Sequence, residues 1–223
     1  MSSSGLRAPT ATFALAGIVS LAAAHTCRGQ DHRWELGAAG GFGLVQNATI
    51  SNPTGNLTAG IDNRFALSGV AGQDLYQHLS GELRYVLRDD DLVLKGGGQK
   101  ANMDGESHLI HYDLLVHARG RRSRIRPYAA GGAGIRLFRG TGKEDPNQRF
   151  RDFAFITRAN EVKPLISVGG GVKVSVTRRI SVHVDFRDYI SPFPEELFVP
   201  APAAKIRGWV HDFVPMAGIS FGF

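Results

Sequence analysis

The chain has 223 residues, of which 43% are hydrophobic and 21% charged, with 28 glycines and a formal net charge of +6. Its one cysteine excludes a disulfide framework and a cysteine-based zinc site. Beyond residue 24 no run approaches the roughly 20 apolar residues of a membrane-spanning helix, so any passage through a membrane has to be made by strands.

In chain order, MSSSGLRAPTATFALAGIVSLAAAHTCRGQ carries Arg7 as its only charge before residue 28. It runs apolar from Phe13 to Ala24 and offers Ala22, Ala23 and Ala24 as a small-residue cleavage site. That is the layout of a secretory signal peptide. Residues 1–24 are assigned to it, with Gln30 as an alternative end, and residues 31–223 to one domain. Cys27 lies at the junction, but His25-Thr26 is a poor match to the small residue that a lipid-anchored precursor places before its cysteine.

The rest of the chain alternates with period two, the signature of half-buried strands. Trp34, Leu36, Ala38, Phe42 and Leu44 share one face of the first strand, opposite Glu35 and small residues. YQHLSGELRYVLR sets Leu79, Leu83, Tyr85 and Leu87 against His78, Ser80, Glu82, Arg84 and Arg88. DDD at 89–91 then reads as a tight turn and LVLKGGG as the third strand. HLIHYDLLVHA places Ile110, Tyr112, Leu114 and Val116 opposite His111, Asp113, Leu115 and His117. RPYAAGGAGIRLFRG, PLISVGGGVKVSV, ISVHVDFRDY and WVHDFVPMAGISFGF complete a predicted set of eight. Connections after the second, fourth and sixth strands are short, whereas residues 46–75, 99–107, 140–162 and 190–207 form longer ones. Whether the first of these holds further strands around Phe65 to Val70 is left open.

Short turns at one rim and long loops at the other are the layout of a bacterial outer-membrane barrel. The predicted fold is all-β, an eight-stranded antiparallel up-and-down transmembrane β-barrel. Such a barrel has a narrow lumen filled by side chains. Its polar network is assigned to Glu82, Arg84, His111, Asp113, Lys173, His183, Asp185 and Arg187, with the aliphatic and aromatic face turned to lipid.

The chain closes on PMAGISFGF. Its alternating apolar residues, with Phe213, Ile219, Phe221 and the final Phe223, resemble the signal that outer-membrane barrels present to the barrel assembly machinery. RPYAAGGAGIRLF, a proline and tyrosine leading a glycine-rich strand, resembles the middle of the outer-membrane protein A-type, eight-stranded barrel family. The resemblance spans about residues 31–223. It implies an integral protein of the outer membrane of a Gram-negative-type bacterium, with outer-membrane lipids and, during biogenesis, the assembly machinery as partners. No peptidoglycan-binding domain is expected after the barrel.

Other motifs have plainer readings. GGAG at 131–134 and GGG at 96–98 and 169–171 lack the strand-to-helix context of a phosphate loop. They suit strands that coil and pack closely. The histidines have no ligand spacing, so no metal or cofactor is expected. RGRRSRIR, at a short turn, suits anionic headgroups or orientation in the membrane, and nucleic acid is not an expected partner. SPFPEELFVPAPAAK reads as a stiff loop folded over its own rim. Three functions stay open: a structural or surface-interaction barrel, a narrow pore or small-molecule conduit, and a lipid-modifying enzyme. The last would use Ser191, His211 and Asp212 near the outer rim, although no catalytic residue is assigned.

Overall fold

The computed structural model describes residues 33–46, 48–52, 55–62, 65–96, 99–143, 150, 154–201, 205–206 and 208–223. The expected signal segment 1–24, its alternative end at Gln30, and Cys27 lie outside the described residues. So do parts of two expected features, residues 97–98 of the first GGG run and residues 202–204 of the proline-rich loop.

The body consists of β1 (Trp34–Phe42), β2 (Phe65–Asp74), β3 (Leu79–Gly96), β4 (Gln99–His117), β5 (Ile125–Gly140), β6 (Asn160–Ser175), β7 (Ile180–Pro192) and β8 (Trp209–Gly222). Each pairs antiparallel with the next. β8 then returns to β1, with Glu35 opposite Gly222 and Gly41 opposite Met216. The sheet is therefore a closed eight-stranded barrel without a free edge along this ring, the arrangement that satisfies backbone polar groups in hydrocarbon. Among the described residues there is no helix.

Two strand assignments from the sequence need correction. Asp89, Asp90 and Asp91 are not a turn: they continue β3, an 18-residue strand that merges the predicted second and third strands. The Asp90 side chain is buried against the arginines of the barrel interior, so its chemistry is ion pairing and not turn formation. The missing strand is β2, which lies inside the stretch read as the long first connection. Residues 99–107, expected as a loop, belong to β4.

Faces follow the alternation. On β7, Val182, Val184 and Phe186 are exposed, at 40%, 63% and 49%, while Ser181, His183, Asp185 and Arg187 are at most 5% exposed. Towards the long-loop rim the outward positions become mostly polar, with Trp209, 57% exposed, beyond them on β8. Going around the barrel, the next outward residues are Asp89 opposite Glu106, Glu106 opposite Arg139, and Arg139 opposite Asn160, followed by Asp188 and His211. Arg139 pairs with Glu106 at 2.8 Å, and the Tyr85 hydroxyl lies 2.7 Å from His108 Nδ1. This polar ring marks the upper border of an apolar band. Trp34, Phe221 and Phe223, all about half exposed, sit at the opposite border. An apolar wall with an aromatic margin is what a bilayer requires of a barrel.

The two rims differ. Residues 75–78, 118–124 and 176–179 are short turns on one side. On the other, β3 and β4 run beyond the polar ring, and the sheet continues sideways. Gly55–Asp62 pairs with β3, Ala48–Asn52 with Gly55–Asp62, and Lys205–Ile206 with Ala48–Asn52. Lys95 and Lys100 grip Asp62 at 2.9 and 2.5 Å on this extension and hold its carboxyl below the usual value, chiefly by hydrogen bonding.

Candidate functional site: the filled lumen

Because every second residue of each strand points inward, the lumen is built in layers. Next to the short-turn rim, Lys173 pairs with Glu35, and Arg126 pairs with Asp74 at 3.2 Å. Asp74 also accepts a 2.5 Å hydrogen bond from the Ser80 hydroxyl, which lies 2.9 Å from His117 Nε2.

One level further in is a connected network. The Arg84 guanidinium grips both Asp185 oxygens, at 3.3 and 2.8 Å, and donates through Nε to Glu82 at 2.8 Å. Glu82 also accepts from Arg187 at 3.3 Å, and Arg187 binds Asp113. Asp113 lies 3.1 Å from His111 Nδ1 and accepts from Ser167, while Tyr128 donates its hydroxyl to Asp185 at 3.0 Å. Two arginines thus face three carboxylates, tied together from β3 to β7. A bidentate guanidinium is the donor geometry that suits such a carboxylate cluster.

Above the network lies an apolar layer: Ala39, Ala66, Val86, Leu109, Leu165, Tyr189, Val214 and Met216. Above that layer, Arg88 and Arg136 face Asp90 and Asp212. Arg88 pairs with Asp212 and, at 3.1 Å, with Asp90. Arg136 lies 3.2 Å from Asp212 and 3.4 Å from Asp90, and its guanidinium carbon stands 4.4 Å from the centre of the Phe138 ring. Gly43 makes room here, because a Cβ at that position would run into the Arg88 guanidinium. Gly43→Val is accordingly expected to cost about 1–3 kcal/mol, as overpacking does, read as a lower urea midpoint.

The outermost layer is an apolar cap over the long-loop rim. Leu57, Ile61, Leu92, Leu94, Met103 and Phe138 meet Ala154, Ile156, Phe193, Leu197, Phe198 and Val210, none more than 5% exposed. Phe198–Pro200 forms a two-stranded ladder with Ala154–Ile156. The part of the proline-rich segment that the structure describes is thus folded onto the barrel mouth, with Phe193 packed on Phe198 at 5.1 Å.

No protein-family model matches the sequence, and no curated protein matches it. Solved structures do resemble the fold. Neisserial surface protein A is 13% identical over 85% of this chain and 97% of its own, with a TM-score of 0.50. Outer membrane protein OprG from Pseudomonas aeruginosa is 15% identical over 87% and 98%, with a TM-score of 0.57. Outer membrane protein AlkL, determined in lipid bilayers, is 16% identical over 90% and 94%, with a TM-score of 0.50. The fold is that of the eight-stranded outer-membrane β-barrels.

Of the barrel residues singled out in the sequence, Glu82, Arg84, His111, Asp113, Asp185 and Arg187 meet in the central network. Lys173 instead belongs to the layer at the short-turn rim, paired with Glu35. His183 is buried beside the network, and neither ring nitrogen has a hydrogen-bond partner among the described residues. Phe213, Ile219, Phe221 and Phe223 share the outer face of the last strand, where Phe213 stacks on Phe186 at 5.8 Å and the Phe223 amide donates to the Trp34 carbonyl.

The residues considered for lipid chemistry do not converge. Ser191 is buried inside the barrel with Val210 as its register partner, whereas His211 points outward and lies 2.9 Å from Asp188. Asp212 faces inward and is held by Arg88 and Arg136. A nucleophile needs its base within hydrogen-bond reach, and the barrel wall separates Ser191 from His211. Sequence reasoning missed the upper square of Arg88, Asp90, Arg136 and Asp212. Its signal was the inward parity of Arg88, Arg136 and Asp212, hidden by reading Asp90 as part of a turn.

Proposed function

We propose that this protein is a sealed outer-membrane barrel whose role is structural or interactive, carried by the rigid β-structure on its long-loop rim. The observation behind this reading is the layering of the lumen: three paired-charge levels, the uppermost set apart from the other two by an apolar layer, and an apolar cap that closes the mouth. An ion crossing it would have to break buried arginine–carboxylate pairs and then pass the mainly aliphatic side chains of the middle layer, which costs several kcal/mol per bare charge.

In this reading residues 1–24 direct export and the short-turn rim faces the periplasm. Phe213, Ile219, Phe221 and Phe223 serve as the assembly signal, lipids of the outer membrane surround the wall, and the extended strands face outward as a platform for a surface partner. Neither enzymatic activity nor nucleic-acid binding forms part of it. The test is conductance in planar bilayers. The wild-type barrel is expected to show no steady open channel, and Asp185→Ala alone is expected to leave it closed, because the upper square and the cap remain. A steady ohmic conductance of the wild-type chain would replace this reading with that of a pore.

A further inference from the structure

The short-turn rim carries a one-signed charge that the sealed-barrel reading does not use. The turn 118–124 contributes Arg119, Arg121, Arg122 and Arg124, and the turn 176–179 contributes Arg178 and Arg179. Five of these are exposed and Arg121 is half-buried. The three short turns contain no aspartate or glutamate. The neighbouring Asp74 faces the lumen, where Arg126 and Ser80 hold it.

The turns are ordered and joined to one another. Ser123 N donates to Gly120 O at 2.9 Å, Ser175 N to Arg124 O at 2.8 Å and Gly222 N to Arg179 O at 2.7 Å. Thr177 Oγ1 accepts from the amides of Arg179 and Ile180. The arginines therefore form an arc on a fixed frame from β4 to β8. The arc stands at the level of the aromatic margin: Trp34 and Phe223 are about half exposed at this border, and Tyr76 is 73% exposed on the third turn. On the wall below Arg119 runs a shallow groove lined by Val116, His117, Ala118, Pro127, Tyr128 and Ala129, of which Val116, Ala118 and Ala129 are exposed and His117 and Tyr128 are buried.

We infer that the arginine arc and the groove beneath it bind an anionic phospholipid of the inner leaflet, with the phosphate on the guanidinium groups and an acyl chain in the groove. Guanidinium forks suit phosphate oxygens, and clustered basic residues at a bilayer surface select anionic lipid. The apolar groove favours an occupant that carries both a charge and a chain, which an acidic polymer does not. The leaflet assignment rests on the proposed orientation, but the binding itself can be tested in symmetric bilayers, independently of orientation and of conductance.

The experiment reconstitutes the wild-type chain in phosphatidylcholine nanodiscs containing a minor fraction of phosphatidylglycerol and measures co-released lipid by native mass spectrometry. A parallel sample carries Arg119→Gln, Arg121→Gln, Arg124→Gln, Arg178→Gln and Arg179→Gln, with its folding checked by heat-modifiable gel mobility. The wild-type chain is expected to enrich phosphatidylglycerol at least about threefold over its bilayer fraction. That enrichment should fall towards unity in the variant and, for the wild-type chain, at high salt. Enrichment unchanged by the substitutions and by salt, or none in the wild-type chain, overturns the inference. Salt-sensitive binding of soluble peptidoglycan fragments to the wild-type barrel in pure phosphatidylcholine, without lipid enrichment, would assign the arc to an acidic polymer and overturn it as well.

Discussion

Arg84→Ala is expected to destabilise the barrel by about 3–5 kcal/mol, seen as a lower urea midpoint for reversible folding in lipid vesicles. Arg84 is fully buried and, among the described residues, is the only group that grips both oxygens of Asp185 while also bonding Glu82. Removing it leaves Asp185 with the Tyr128 hydroxyl as its remaining hydrogen-bond donor, while Glu82 keeps Arg187. The loss therefore falls on a carboxylate that is desolvated and no longer paired, which is the costly outcome for a buried ion pair. The companion Arg84→Met with Asp185→Asn removes both charges and should recover more than half of that loss. A double variant as unstable as the sum of the two single changes would mean that the pair is not a unit.

Val184→Arg, on the opposite face of the same strand, should cost about 2–4 kcal/mol by the same urea measurement, because it places a cation at mid-height of the apolar band. Val184 is 63% exposed, and no lumen partner can reach it through the wall. Ile125→Arg, next to the short-turn rim, should cost only about 0–1 kcal/mol. This dependence on depth separates a lipid-facing wall from the surface of a water-soluble barrel, where both arginines would be tolerated. Equal tolerance at the two sites would contradict the assigned faces.

The faces were legible in the sequence because period-two alternation survives wherever one side meets hydrocarbon and the other meets charge. β4 and β7 are the clearest cases: Tyr112 and Leu114 flank Asp113, and Val184 and Phe186 flank Asp185. β2 was hard to read because its inward residues Ala66, Ser68 and Val70 are small or apolar, opposite an outward face of Phe65, Leu67 and Gly69. Strong alternation is lost there, since the arginines that fill the lumen come from other strands. DDD misled for a different reason: adjacent aspartates are turn chemistry in isolation. Here Asp90 is drawn inward by Arg88, two residues before it on the same face of β3, and by Arg136 from β5, 46 residues away. The cap was only partly legible. Prolines and aromatics in residues 191–201 suggested a loop over the rim, but the partners Leu57, Ile61 and Leu94 come from segments with no visible link to it.

The central claim is that oily side chains face acyl tails and ionised ones fill the lumen. It is tested most directly by transferring proton magnetisation from lipid chains to the wild-type protein in bilayers by solid-state NMR. Early transfer is expected to reach Val182, Val184 and Phe186, with Asp185 and Arg187 silent at the same mixing times. Early transfer from water to Asp185 and Arg187, with none from lipid to Val182, Val184 and Phe186, would contradict the account.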